Sequence, residues 1–177
     1  ITNSWIKVLD LKKKEVIYAF KEGNALNQPR FSPSGKYLAF AGSTVGYSCN
    51  DGLFIANFKT GKTKNLSYEL DPTIEKIRWI DNKRLCFSAP KDAYTAIYQA
   101  DVDGKIKLLL EPYWVIYDFQ VVADNFVFTA SRSSKTKQLY QLEFASKAQK
   151  AVQLSQINAT LLAKIKTTSR VINYQSA

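Results

Sequence analysis

At 177 residues, with 46% hydrophobic and 13% aromatic side chains, the chain has the length and composition of a folded domain with a sizeable core, which excludes disorder. Its net charge of +10, from 25 Lys and Arg against 15 Asp and Glu, is carried mostly by Lys; no basic stripe alternates with stacking aromatics, so no nucleic-acid partner is expected. His is absent, which removes His-based zinc chemistry, and Glu111, Asp118 and Asp124 break the most hydrophobic region, so no membrane span is expected.

Residues 1–27 hold half of a unit that then recurs. Trp5 to Leu11 is a short strand, and Lys12 to Tyr18 gives a turn and a second strand. The sequence starts at Ile1, contains no Met and shows no signal peptide. It is therefore expected to be a processed or truncated piece, with the compartment open between cytoplasm and bacterial periplasm.

Residues 28–68 are the first whole unit. Phe31 closes one strand, and Ser32-Pro33-Ser34-Gly35 makes a tight corner in which Gly35 can take positive φ. Tyr37 to Ala41 is apolar on both alternating faces, so both must be covered. The breaker-rich stretch from Gly42 to Gly52 is read as a connector, with a recognition loop as the alternative. Leu53 to Phe58 is the third strand, and a turn at Thr60-Gly61 leads into a Lys-bearing strand ending at Leu66.

Residues 74–111 and 114–156 repeat this plan. The pair Leu38 and Phe40 returns as Leu85 and Phe87, then as Phe126 and Phe128. The corner returns as Asp81-Asn82 and Ala123-Asp124-Asn125, with Asn and Asp expected in the left-handed region. An aromatic precedes each corner: Phe31, Trp79 and Phe119. The third strand returns as Ile97 to Val102 and Leu139 to Phe144, with turns at Asp103-Gly104 and Ala145-Ser146 before strands ending at Leu109 and Leu154. Lys12, Lys13, Lys14, Lys59, Lys62, Lys64, Lys105, Lys107, Lys147 and Lys150 are expected on outer strands, where Lys blocks edge-to-edge aggregation. Two hairpins per unit, at a period of roughly 40 to 48 residues, are the pattern of a β-propeller blade. The expected fold is all-β: a partial β-propeller of about three four-stranded antiparallel blades plus a half-blade over residues 1–156. Residues 157–177 break the pattern, with a helical turn in Ile157 to Lys166 and a strand from Thr168 to Tyr174.

Several motifs imitate chemistry. Ala56 to Thr63 fits a loose phosphate-loop pattern, but it has one glycine, no helix follows, and its repeat copy Val102-Asp103-Gly104-Lys105 reads as a hairpin turn. Asp101-Val102-Asp103-Gly104 lacks the later oxygen ligands of a calcium loop. Asn65-Leu66-Ser67 and Asn158-Ala159-Thr160 match the glycosylation sequon, and Arg132 to Lys137 is a polar hairpin connection. Cys86, between Leu85 and Phe87, reads as a buried free thiol; spacing leaves a disulfide to Cys49 open.

Pro29 to Ala41 followed by Leu53 to Leu66 resembles the propeller repeat shared by prolyl oligopeptidase-family serine peptidases and the Tol-system propeller protein. Leu154 to Asn158 followed by Leu161 to Ile165 is similar to the propeller end of acylaminoacyl- and dipeptidyl-peptidase-like members. The resemblance implies that Val171 to Tyr174 leads out of the propeller toward a C-terminal α/β-hydrolase domain. It implies a non-catalytic domain that gates short peptides to that partner, or alternatively a Tol-like protein-binding scaffold. A Ser-His-Asp site needs a His and a G-x-S-x-G elbow, and the sequence has neither. Glu15, Glu22, Glu69, Glu75, Glu111 and Glu143 are all separate, so the paired glutamates of some relatives are missing. No catalytic, cofactor-binding or metal residue is assigned. Because three and a half units fall short of the usual ring of four to eight blades, self-association of half-propellers is expected.

Overall fold

The structure, a computed structural model, describes residues 4–20, 24–43, 52–68, 70, 73–110, 113–132, 135–144, 150–164, 171–172 and 175. β1 (Ile6–Asp10) and β2 (Glu15–Phe20) form a two-stranded sheet. Three four-stranded sheets follow, each in chain order. The first is β3 (Asn24–Phe31), β4 (Tyr37–Ser43), β5 (Gly52–Asn57) and β6 (Thr63–Asn65). The second is β7 (Lys76–Trp79), β8 (Arg84–Lys91), β9 (Tyr94–Asp101) and β10 (Ile106–Leu110). The third is β11 (Val115–Val122), β12 (Asn125–Arg132), β13 (Lys135–Glu143) and β14 (Val152–Gln153), before the one-turn helix α1 (Ala159–Leu162). Two compact units result: Ile1–Pro90 with Tyr98–Leu108, and Lys91–Ile97 with Leu109–Ala177.

In the first unit, β4 shows why its sequence is apolar at every position. Leu38 and Phe40 point to one side, into a cluster with Ile6 and Phe20 of the two-stranded sheet and with Phe54 and Ala56. Ala39 and Ala41 point to the other, into a cluster with Ile77, Leu85, Phe87 and Ala100. Large residues on one face and alanines on the other let neighbouring sheets approach closely. The Phe40 ring stacks on Phe54 at 5.4 Å and meets Phe20 at 4.8 Å. In the second unit, Phe126 and Phe128 are buried on β12, with Phe128 against Trp114 and Tyr140 and Phe126 against Phe119. Leu38, Leu85 and Phe126 thus occupy matching second-strand slots, each essentially inaccessible to solvent.

Three local expectations need correction. The register pairs Phe31 with Leu38 and Trp79 with Leu85, but Phe126 with Val121. Phe119 pairs instead with Phe128 and so corresponds to Ile77, the partner of Phe87. The β11–β12 connection, Ala123-Asp124, is shorter than the other two corners, and this shifts the column by two residues. Second, the left-handed residue of that turn is Ala123, at φ 50°, and neither Asp81 nor Asn82 has positive φ. Asp81 turns the chain as an acceptor: its Oδ1 takes the N–H groups of Lys83 (2.7 Å) and Arg84 (2.8 Å). Third, of the described members of those ten lysines only Lys64 and Lys107 lie on outer strands; Lys12, Lys13, Lys14, Lys59, Lys62 and Lys105 sit in the turns before them and Lys150 lies just ahead of β14, where the side chains stay hydrated.

A further repeat element emerges at the outer strands. Leu66 N–H donates to the Leu53 carbonyl (2.7 Å), and Leu53 N–H donates to Ser67 Oγ (2.8 Å). Leu154, Leu139 and Ser155 make the same pair of bonds, each at 2.8 Å. A Leu-Ser step thereby closes the fourth strand onto the third where the ladder stops, satisfying a backbone donor that would otherwise be stranded.

Candidate functional site

The tight corners at one end of the first unit form a hydrogen-bonded rim. At the β3–β4 corner, Gly35 N–H donates to the Ser32 carbonyl (2.8 Å), Gly35 has φ 71°, and Tyr37 N–H reaches Ser32 Oγ (3.1 Å). That corner is tied to the next sheet: Ser34 N–H donates to Asn82 Oδ1 (2.7 Å), and Trp79 Nε1–H donates to the Arg30 carbonyl (2.9 Å). Val102 N–H donates to the Lys83 carbonyl (2.9 Å), and Lys64 Nζ donates to the Asp103 carbonyl (2.9 Å). Hydrogen bonds thus tie these corners to one another across the rim.

Among the cavities lined by described residues, three open on this unit. One of about 430 Å³ is lined by Asp81, Asn82, Lys83, Arg84, Asp101 and Asp103. Burial alone would raise the Asp81 pKa, but the Lys83 and Arg84 N–H groups and the Arg84 guanidinium, 2.7 Å away, outweigh it and hold the carboxyl below its ordinary value. A second, of about 480 Å³, has Lys64, Tyr68, Tyr98 and Lys107 among its lining residues. The third, of about 440 Å³, runs beside β1 and is lined almost wholly by apolar residues, Trp5, Leu9 and Phe31 among them.

The imitative motifs resolve into structure. Ala56 to Thr63 is the β5–β6 hairpin: Ala56 pairs with Thr63, and Asn57 Oδ1 accepts the Lys59 and Thr60 N–H groups. Asp101 to Gly104 is a turn in which Gly104, at φ 105°, donates to the Asp101 carbonyl (2.9 Å). Asn65 and Ser67 of the first sequon are occupied with each other, Asn65 Oδ1 accepting Ser67 N–H at 3.0 Å. Cys86 is a free, buried thiol whose pKa burial pushes up to about 12. Cys49, most of the stretch between Gly42 and Gly52, the turn at Ala145-Ser146, Lys147, Ser133 and Ser134, and most of the Thr168 to Tyr174 strand lie outside the described residues. Among the described residues, no group of three or more His, Cys, Asp or Glu is placed to hold a metal, and no buried side-chain polar atom lacks a hydrogen bond.

In the second unit the sequence reading missed a pair of cations on aromatic rings. Lys137 Nζ lies 4.5 Å from the Tyr117 ring centre and the Arg132 guanidinium 5.2 Å from that of Trp114. Tyr117 sits at a β-bulge, which takes it out of simple alternation and hid the pairing from a period-two reading. What this geometry offers chemically is surface: hydrogen-bonded corners, cations and aromatic faces.

The architecture is an all-β, partial β-propeller, and comparison with known proteins bears on its relatives. No protein-family model matches the chain. Over 110 residues, 60% of its length, it is 33% identical to Dipeptidyl-peptidase 5 of Porphyromonas gingivalis, and it spans only 16% of that curated relative. Among solved structures, TolB from Acinetobacter baumannii matches with a TM-score of 0.62 at 21% identity, over 84% of this chain and 37% of that one. The β-propeller domain of the trilobed protease from Pyrococcus furiosus gives 0.58 at 15%, over 87% and 62%. Acylaminoacyl peptidase of Pyrococcus horikoshii gives 0.62 at 15%, over 92% and 32%. The structural neighbours thus include peptidases of the prolyl oligopeptidase family as well as TolB.

Proposed function

We infer that the chain is the non-catalytic propeller portion of a dipeptidyl-peptidase-like serine peptidase, acting beside a C-terminal α/β-hydrolase domain. The observation that carries this reading is the 33% identity to Dipeptidyl-peptidase 5, because likeness of fold alone is shared with TolB. The absence of His from the sequence agrees with a domain that leaves the chemistry to its neighbour. Its contribution is steric: braced corners make a rigid wall that admits short peptides to the hydrolase pocket and turns folded chains away.

The test starts from the native polypeptide, captured with antibody raised against this chain. Reaction of the captured protein with a fluorophosphonate probe is the expected result, and a polypeptide that does not react refutes the peptidase reading. Gating is tested separately, by cleavage of one target sequence presented as a short peptide and as a loop of a folded protein. Equal rates on the two would remove the sieve. The second reading, a Tol-like binding scaffold, is favoured by the 21% identity to TolB across 84% of the chain. It predicts an unreactive capture that brings down protein partners.

A further inference from the structure

We propose that the cavity between the outer strands β6 and β10 is a binding site for an acidic peptide segment, whose carboxylates pair with Lys64 and Lys107 while an apolar side chain rests on the cavity floor. At about 480 Å³ the cavity has the size of a ligand site. Its floor belongs to the core of the first unit: Leu66 is buried there, and Tyr98 and Ile106 pack against the same cluster. The Tyr98 ring stacks on Phe87 at 5.1 Å, so the floor is made of residues that folding already places.

The two lysines differ from the hydrated lysines of the turns. Lys64 Nζ donates to the Asp103 carbonyl (2.9 Å), which occupies one of its ammonium N–H groups and leaves the others for a ligand. Gly104 makes room for that ammonium, since a Cβ there would lie 2.8 Å from Lys64 Nζ. Lys107 stands exposed on β10. Among the described residues the ion pairs are Lys13–Glu15 and Arg84–Asp81, and neither Lys64 nor Lys107 has a carboxylate partner. No Asp or Glu is among the described residues that line this cavity; Asp101 and Asp103 line the separate one beside Asp81.

The lining selects the ligand by charge complementarity and by shape. Two cations without a carboxylate beside them attract an anion, and the +10 charge of the chain strengthens that pull. A bare phosphate would leave the apolar floor and both tyrosines unused. A peptide with an apolar side chain flanked by carboxylates uses all of them. Tyr68, 83% exposed, stands at the lip, where Leu70 N–H closes a turn on the Ser67 carbonyl (3.0 Å). Its ring offers the peptide an apolar face and its hydroxyl a hydrogen bond.

Fluorescence anisotropy tests the proposal, with the full chain titrated into a short dye-labelled peptide of Glu and Leu and into a copy with Gln for Glu. Saturable binding of the acidic peptide is expected. It should weaken at least about fivefold between about 0.1 M and about 1 M salt, as the screening length falls from about 10 Å to about 3 Å. Lys64→Gln and Lys107→Gln should each weaken it at least about fivefold, the loss of one charge-assisted hydrogen bond. Lys107 is the safer of the two for folding, because its exposed side chain makes no hydrogen bond among the described residues. Lys107→Arg should keep most of the binding. Lys150→Gln removes the same charge at an exposed position just ahead of β14 and should leave binding unchanged. No saturable binding overturns the proposal, as does equal binding of the Gln copy. Equal losses in all three Gln variants would mean general attraction to the net charge and overturn it too. Displacement of the peptide by an equal concentration of inorganic phosphate, or stronger uptake by vesicles of anionic lipid, would assign the lysines to another anion and equally overturn it.

Discussion

Phe40→Ala tests whether β4 is the element that joins the first two sheets. Phe40 is fully buried, packed between Phe20 and Phe54 at 4.8 and 5.4 Å, and its removal leaves a cavity between two sheets that cannot close without moving both. Truncating a buried Phe costs about 3–5 kcal/mol. The loss of two ring contacts, at about 0.5–1.5 kcal/mol each beyond area, favours the upper half of that range. With a urea m-value of about 2 kcal/mol/M, the denaturation midpoint should fall by about 2 M, followed by Trp fluorescence and far-UV circular dichroism together. Tyr68→Ala, at a residue 83% exposed, should change stability by no more than about 0.5 kcal/mol. A midpoint shift below about 0.5 M for Phe40→Ala would refute the packing argument, since no buried junction yields so little.

Three further outcomes follow from named contacts. Ser67→Ala strands the buried N–H of Leu53 and should cost about 1–3 kcal/mol in urea unfolding, whereas Ser67→Thr, which keeps the hydroxyl, should recover part of it. Cys86 should resist iodoacetamide in the native state at pH 8 and react in urea. An unfolded thiol ionises near 9.0 and the folded one near 12, so between those values the unfolded state binds fewer protons and stability falls as pH rises; Cys86→Ala should lose that part of the slope. Asp81→Asn should cost about 1 kcal/mol, modest because the side chain is 41% exposed and solvent screens it. Its contribution is present above pH 3.8 and fades as pH falls through the lower folded value, so variant and wild type should converge in acid.

The fold was legible because its main signal is local and repeated. Leu38, Leu85 and Phe126 could be aligned by eye because each follows a corner and precedes another apolar residue on the same face, a pattern that solvent exclusion imposes on every second strand. The column of aromatics was less reliable: Phe119 sits near its corner in sequence, but pairing depends on turn length, and the short Ala123-Asp124 turn moved Val121 into the slot. Turn chemistry misled for a similar reason. Asp81 works as a side-chain acceptor, which sequence cannot distinguish from a left-handed residue because both favour Asp. The Leu-Ser step at Leu66-Ser67 and Leu154-Ser155 was present in the sequence twice, but the second sheet ends in Leu109-Leu110 and broke the pattern. There the Trp114 carbonyl accepts Thr95 N–H at 2.8 Å instead. The Ser34–Asn82 brace joins residues far apart in sequence, and nothing in either turn names its partner.

The polar side chains bear on the proposal that such a chain acts by shape. Ser32, Asn57, Ser67, Asp81 and Asn82 bond to backbone groups of corners and strand ends in the first unit; in the second, Gln138 bonds to Ser155 and to the Ile157 backbone, and Ser155 Oγ accepts the Leu139 N–H. A side chain held this way has given its bonding capacity to the fold, and moving it into chemistry would leave a backbone donor unsatisfied at about 1–3 kcal/mol. What stays available to a partner is therefore what the fold does not need: lysines in the turns and half-exposed rings. On the steric role proposed above, the effect of such a domain on its neighbour's reaction should survive single substitutions at exposed residues while failing with changes, such as Phe40→Ala, that loosen the wall itself.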